Sequence, residues 1–287
     1  MCRFVAYLGS PITLDRLVTE PKHSIITQSF AARLRSEPLN GDGFGLAWYA
    51  PEISPRPAVF RSVQPAWSNR NLSDLARVTR SPVVMGHVRA ASPGLGVTEL
   101  NCHPFVRGNL AFMHNGEVAE FRRMKRRIQA RLTDESFEAI TGTTDSETLF
   151  ALIMDYWSKA EDTPPVERLG LALSQAIEEI EALRTELRVK DGHYLNLALT
   201  DGKHLAVCRY ASADCPAPSL FYTEGRTYEC VDGVCRMIQP ANQLADLIVA
   251  SEPLSTVEDW KEVPTGHLLL SGPDHRPRLK PLAKSGA

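Results

Sequence analysis

Met1-Cys2-Arg3-Phe4-Val5-Ala6-Tyr7-Leu8-Gly9 opens the chain, and the rest is read outward from it. Residues 2–9 are apolar with only weak alternation. They fit a buried strand, closed by the turn residues Gly9, Ser10 and Pro11. One basic residue and a broken apolar run do not make a signal peptide. Removal of Met1 would leave a thiol and a free amine on one residue. Such an amine has a reference pKa of about 7.7–8.0 and a thiol about 8.5. The terminus would then carry a base and a nucleophile together. An ordinary second residue that happens to be cysteine is the plainer alternative, and the remaining chain decides between them.

Thr13 can cap a short helix through Glu20, and 24–34 suggest another. Asn40-Gly41-Asp42-Gly43-Phe44-Gly45 is a Gly-rich turn opening into the apolar run 44–49. Further strands are expected at 58–62, 83–88 and 109–114. The middle of the chain turns helical. Apolar residues recur at helical spacing in 118–132, in 145–157 (Leu149, Leu152, Ile153, Tyr156) and in 166–187 (Val166, Leu169, Leu173, Ile177, Ile180, Leu187). After Asp191-Gly192 the pattern is β-rich at 194–200, 204–210, 219–224, 246–252 and 266–272. Asp201-Gly202 marks a hairpin. Residues 273–287, rich in Pro and Lys/Arg, read as a tail, which leaves 1–272 as a single domain. Strands, then helices, then strands argue for an α+β fold with a sheet from each half packed together. A parallel α/β fold would need regular alternation, which is absent.

The 287 residues are 43% apolar, enough for a sizeable core, and the net charge of −2 gives no argument for nucleic acid or an anionic membrane. No apolar run is long enough to span a bilayer, so a cytoplasmic location is the default expectation. The six cysteines (2, 102, 208, 215, 230, 235) contain no CxxC pair, and reduced thiols are expected in place of a disulfide framework or a zinc site. His87, His103 and His114 lie in or near strands with no matching carboxylate pattern. They are expected to hydrogen-bond in a site wall or core, with no metal. The glycines at 41, 43 and 45 lack the Lys-Ser/Thr of a phosphate loop. Arg122, Arg123, Lys125, Arg126, Arg127 and Arg131 form one helix face, read as solvated or, more sharply, as a contact for an acidic partner or phosphorylated ligand.

Three polar clusters stand where apolar elements are expected to stop: Gly86-His87-Val88-Arg89, His114-Asn115-Gly116 and Thr144-Asp145-Ser146-Glu147. A γ-glutamyl amide presents an α-carboxylate, an α-ammonium and a side-chain carbonyl. An arginine fork suits the first, an aspartate the second, and a backbone N–H beside an Asn amide the oxyanion formed on attack. Arg89, Asp145 and Asn115-Gly116 supply that set. Each has a plain alternative: a surface ion pair, a helix cap and a tight turn.

Taken in order, Met1-Cys2-Arg3-Phe4, the 40–45 turn, Gly86-His87-Val88-Arg89, Asn101-Cys102-His103-Pro104-Phe105, Met113-His114-Asn115-Gly116-Glu117, Thr144-Asp145-Ser146-Glu147 and Ala250-Ser251-Glu252-Pro253-Leu254 span almost the whole chain. The sequence resembles the class II glutamine amidotransferases, a branch of the N-terminal-nucleophile hydrolases. It is most similar to the stand-alone branch that includes ergothioneine-pathway γ-glutamyl amidohydrolases and uncharacterised bacterial glutamine amidotransferases. The resemblance implies a four-layer αββα sandwich of two antiparallel-type sheets. It implies Cys2 as the mature N-terminus and nucleophile, with its amine relaying the proton. Asn115 and Gly116 would form the oxyanion hole, Arg89 would hold the α-carboxylate and Asp145 the α-ammonium. Asn40, Asp42, His87 and Ser92 would support the site. A γ-glutamyl thioester would form on the sulfur and water would release glutamate, with no metal or organic cofactor.

Two departures stand out. The synthase-linked branches carry an arginine where this chain has Leu39, so a contact that orients the terminus must be made differently. They also often have a Trp where this chain has Ala90, which predicts a pocket more open on that side. The small-molecule substrate is then a γ-glutamyl compound. A glutaminase that feeds ammonia to a synthase would need that synthase as a second protein. The alternatives are a self-contained hydrolase of a larger γ-glutamyl metabolite or peptide, and a non-catalytic regulatory or binding subunit.

Overall fold

The computed structural model describes residues 2–35, 37–91, 96–212, 215–225, 227–238, 245–256 and 259–282. The first part supplies β1 (Arg3–Thr13), α1 (Asp15–Val18), α2 (Ile25–Ala31), β2 (Phe44–Ala50), β3 (Ser54–Ser62), α3 (Arg70–Val78) and β4 (Arg80–Val88). The middle supplies β5 (Phe105–Arg107), β6 (Leu110–Glu117), α4 (Phe121–Gln129), α5 (Asp134–Glu138), α6 (Asp145–Lys159) and α7 (Pro165–Glu186). The last part supplies β7 (Tyr194–Thr200), β8 (Leu205–Ala211), β9 (Phe221–Gly225), β10 (Thr227–Val231), β11 (Val234–Ile238), β12 (Asp246–Ala250), β13 (Lys261–Glu262), β14 (His267–Ser271) and β15 (Pro277–Pro281).

The strands form two large antiparallel sheets. The first runs β13-β9-β12-β1-β4-β2-β3 and the second β15-β14-β8-β7-β6-β5, with β10-β11 as a separate hairpin. β1 sits in the middle of the first sheet, with Val5 opposite Gly86 of β4 on one side and Ala250 of β12 on the other. Both its faces are buried, which explains why its alternation is weak. Phe4, Ala6 and Leu8 pack between the sheets with Met85, Met113, Ala198 and Val249. Val5 and Tyr7 turn the other way, onto a cluster with Leu17, Ile25 and Leu72 from α1, α2 and α3. The far face of the second sheet is covered by α4, α6 and α7 through Met124, Ile128, Leu149, Ile153, Leu169, Leu173, Ile177 and Ile180. The layers are therefore α, β, β, α, as the family resemblance implies. Truncating one fully buried residue here, such as Leu173, is worth about 2–5 kcal/mol.

Several local expectations are corrected. Thr13 caps nothing: it ends β1, and the helix that follows is one turn long. The strand expected at 109–114 continues through Glu117, so Asn115-Gly116 is not a turn. Pro277–Pro281, inside the expected tail, is the edge strand β15 and pairs with β14. Cys230 and Cys235 face each other across the β10-β11 hairpin and are joined by a disulfide, contrary to the expectation of reduced thiols. On α4, Arg122, Arg126 and Arg127 are exposed and Arg123 pairs with Glu120, while just past the helix Arg131 pairs with Glu179 and Glu186, as a solvated face does. Among the described residues, no helix is long and apolar enough to cross a membrane.

Candidate active site

Cys2 lies at the head of β1, where the first sheet meets the loop that follows β4. Its Sγ accepts the Ala90 N–H at 3.4 Å and its S–H faces the Ala90 carbonyl at 3.6 Å. Burial pushes the Cys2 thiol pKa up and Asp145 adds to that, while the Ala90 N–H and Arg89 pull it down. Arg89 and Asp145 thus both act on Cys2 although the sequence separates them widely.

Arg89 follows β4 directly. Its N–H donates to Gly43 O at 2.8 Å, and its carbonyl accepts the Asp42 N–H at 3.0 Å. Asp42 Oδ2 accepts the Ala91 N–H at 2.8 Å, so the Gly-rich loop braces residues 89–91 from both sides. Gly43 makes this approach at φ +105°, and a Cβ there would come within 2.8 Å of Ser62 O. Asn40 is buried beneath, its Nδ2 on Gln28 O at 2.9 Å and its Oδ1 on Arg35 Nη1 at 2.7 Å. Arg89 is only 3% exposed, so it is not the surface ion pair of the plain alternative. Its Nη1 reaches Gly96 O at 3.4 Å, and among the described residues no carboxylate forms a salt bridge with it.

Asp145 is the first residue of α6, but it is not the cap. Thr144 is, accepting the Glu147 N–H at 3.1 Å. Asp145 Oδ2 instead accepts the Val118 N–H at 2.9 Å, and Oδ1 accepts the Ser146 N–H at 2.8 Å, which fixes the carboxylate just past the end of β6. Ser146 Oγ bonds His114 Nδ1 at 2.9 Å. On β6, Asn115 is fully buried and its Nδ2 donates to Ser251 Oγ at 3.2 Å. Gly116 is packed so tightly that a Cβ would lie 2.0 Å from Tyr194 O.

His87 Nε2 bonds the His114 carbonyl at 3.1 Å, and its ring stacks on His103 with centroids 4.1 Å apart. Burial lowers the His87 pKa to about 3, with the His114 carbonyl acting in the opposite direction. Burial also lowers His103 and His114, so the three rings form a neutral wall. Among the described residues no group of three His, Cys, Asp or Glu side chains is arranged to hold a metal. Ser92 lies outside the described residues, as does Met1.

The structure thus brings Arg89 and Asp145 within electrostatic reach of Cys2 and ties the Asn115 amide through Ser251 to the strand that follows Cys2, with Gly116 next to Asn115 on β6; Asp42 bonds the 89–91 segment, His87 bonds the His114 carbonyl, and Asn40 bonds Gln28 and Arg35. It also adds residues that sequence reasoning missed. Arg3 donates from Nη1 to the Cys2 carbonyl at 2.8 Å and from Nε to Glu252 Oε1 at 2.6 Å. Arg35 is close enough to Cys2 and Arg3 for their charges to act on it. The signal that could have found Ser251 and Glu252 was the Ala250–Leu254 motif, which carried no assigned role.

Residues 19–273 match the sequence profile of the class-II glutamine amidotransferases, a region that begins after Cys2. The chain is 39% identical over 290 residues to the probable glutamine amidotransferase DUG3 of Saccharomyces cerevisiae, covering 94% of this chain and 81% of that protein. It is 28% identical over 277 residues to the gamma-glutamyl-hercynylcysteine sulfoxide hydrolase of Mycolicibacterium smegmatis, covering 94% of this chain and 95% of that protein. The solved structure of a glutamine aminotransferase class-II domain protein from Silicibacter pomeroyi superposes with a TM-score of 0.65, at 28% identity, over 98% of this chain and 99% of that one. The fold is that of the N-terminal-nucleophile hydrolases, and these likenesses define a glutamine amidotransferase-type enzyme. The chain belongs to the class II glutamine amidotransferase family.

Proposed function

We propose that the protein is a glutaminase-type amidohydrolase that cleaves a γ-glutamyl amide through a thioester on Cys2. The observation that carries this reading is Arg89. A guanidinium that is 3% exposed and lacks a carboxylate partner among the described residues is costly to hold. A substrate α-carboxylate, bound bidentately, offsets that cost. Asp145 stands across the site for the α-ammonium, and Cys2 lies within electrostatic reach of both.

In this reading Met1 is removed and the exposed amine takes the thiol proton, relayed by water. Sulfur attacks the amide carbon. The oxyanion is held by the Asn115 amide and the Gly116 N–H. The leaving amine takes the proton, and water then releases glutamate from the thioester. The amidotransferase-like domain spans residues 1–272, with β15 added at its edge.

A second reading concerns the leaving group. Ala90 is a small residue beside the sulfur, and a pocket of about 530 Å³ lined by Glu117, Glu120, Lys190, Asp191, Tyr194 and Cys215 begins one residue past Gly116. One relative is named as a hydrolase of a γ-glutamyl conjugate. These favour a self-contained hydrolase of a γ-glutamyl metabolite larger than glutamine.

The test is glutamate release from glutamine and from a panel of γ-glutamyl conjugates, with the mass of the mature N-terminus recorded. Cys2→Ala is expected to abolish release with the fold intact. Arg89→Ala is expected to raise KM, with a loss on the order of 2–5 kcal/mol in transition-state binding. Undiminished turnover by Cys2→Ala, or a change below about tenfold in kcat/KM for Arg89→Ala, overturns the reading.

A further inference from the structure

Leu39 leaves this chain without the arginine that the synthase-linked branches use near their terminus, and the structure places another guanidinium there. β12 ends at Ala250, and the next two residues face opposite sides of the first sheet. Glu252 turns toward α2. Its Oε1 accepts Arg3 Nε at 2.6 Å and the Leu34 N–H at 3.0 Å, and its Oε2 accepts His23 Nε2 at 2.7 Å and the Arg33 N–H at 2.8 Å. Arg3 and Glu252 are each 1% exposed. The held guanidinium then donates from Nη1 to the carbonyl of Cys2 at 2.8 Å.

Ser251 turns the other way, between the sheets. Its Oγ accepts the Phe4 N–H at 3.0 Å and Asn115 Nδ2 at 3.2 Å, while its own N–H donates to Phe4 O at 2.9 Å. Both peptide groups that follow Cys2 are therefore gripped, one through Arg3 and one through Ser251. The same hydroxyl holds the amide proposed for the oxyanion hole.

We propose that Arg3, Ser251 and Glu252 are positioning residues that set the distance and angle between the Cys2 sulfur and the Asn115 amide; this rests on the catalytic roles proposed above for Cys2 and Asn115. The carbonyl of Cys2 belongs to the peptide that sets the residue's ψ, so the Arg3 bond fixes how the head of β1 leaves the sheet. Ser251 ties that same strand to β6 of the other sheet, across the gap the substrate carbonyl must enter. An error on the order of 1 Å in such a spacing costs about 10²-fold in rate. A simple buried ion pair would stabilise the fold without acting on the chemical step.

The test uses Arg3→Lys, which keeps the charge but replaces the rigid guanidinium fork between Glu252 and the Cys2 carbonyl by one ammonium on a flexible stem, and Ser251→Ala, which removes one hydroxyl and no charge. Labelling of Cys2 by 6-diazo-5-oxo-norleucine, a glutamine-like electrophile, is followed by mass spectrometry, and iodoacetamide serves as an electrophile that needs no oxyanion hole. Both folded variants are expected to keep the half-saturating concentration of the glutamine analogue within about threefold. Their limiting labelling rate is expected to fall by about tenfold or more. The iodoacetamide rate is expected to change far less. If Arg3→Lys does not fold, Ser251→Ala carries the test. Limiting rates within about threefold of the unmodified chain overturn the proposal, as does an equal loss with iodoacetamide. No labelling of Cys2 in the unmodified chain defeats the amidohydrolase reading itself, and this inference with it.

Discussion

Replacing Glu252 by glutamine removes one negative charge and keeps the shape of the side chain. Four donors converge on this carboxylate: two backbone N–H groups, His23 and Arg3. Burial alone would raise its pKa. The His23 bond, the Arg33 and Leu34 N–H groups and the Arg3 charge outweigh that and hold the carboxyl at about 2, against an ordinary value of 4.5. At about 1.4 kcal/mol per pH unit, that difference is worth about 3 kcal/mol at neutral pH. The folded pKa lies below the unfolded one. The contribution is therefore fully present above about pH 4.5 and is lost as pH falls toward about 2.

The glutamine variant cannot titrate at this position. The stability gap between the two proteins should stand near 3 kcal/mol at pH 7 and close by about 1.4 kcal/mol by about pH 3.5. Urea unfolding of both proteins at a series of pH values, followed by circular dichroism, measures the gap. Taking the difference cancels the groups that do not interact with residue 252. A gap constant to within about 0.3 kcal/mol across that range would refute the account of how this carboxylate is held.

Gly116→Ala places a Cβ 2.0 Å from Tyr194 O and 2.7 Å from His114 Nε2, so β6 must shift beside the proposed oxyanion site. We expect a loss of about 1–3 kcal/mol in stability and of about tenfold or more in kcat; an unchanged kcat in the folded variant argues against the Gly116 N–H as an oxyanion donor. Burial holds His87 near a pKa of about 3 and pushes His103 down as well, so both should remain neutral at about pH 5.5 by nitrogen NMR. Because the folded values lie below the unfolded value of about 6.5, these rings make stability decline as pH falls from about 6.5 toward 3. A midpoint near 6.5 for either ring contradicts the neutral wall.

Strands with buried faces were legible because their apolar runs are continuous: β1, β4, β7, β8, β12 and β14 lie where the pattern puts them. The edges were not. β13 is two residues long, and β15, Pro277-Arg278-Leu279-Lys280-Pro281, carries a proline at each end and a largely exposed surface, which is how an edge is protected and why it reads as a tail. The β10-β11 hairpin did announce itself, in Asp232-Gly233 at φ +51° and +76° between apolar flanks, and was overlooked. In the proposed site, the places of Cys2, Arg89, Asn115, Gly116 and Asp145 were legible because each stands at or near an element's end. Glu252 could not be read that way. Its partner Arg3 is 249 residues distant, and a charge pair leaves no periodic trace.

The place of β1 between β4 and β12 also bears on the order of events at the ribosome. The strand that leaves first has its second edge neighbour at residues 246–250, near the other end of the chain. At about 5–20 residues per second, some 12–50 s pass before that neighbour exists. During that interval β1 lacks one of the two strands that flank it in the finished sheet. Under the proposed removal of Met1, the cut therefore has time to precede closure of the sheet, and a chain that escaped it would fold with its amine still blocked.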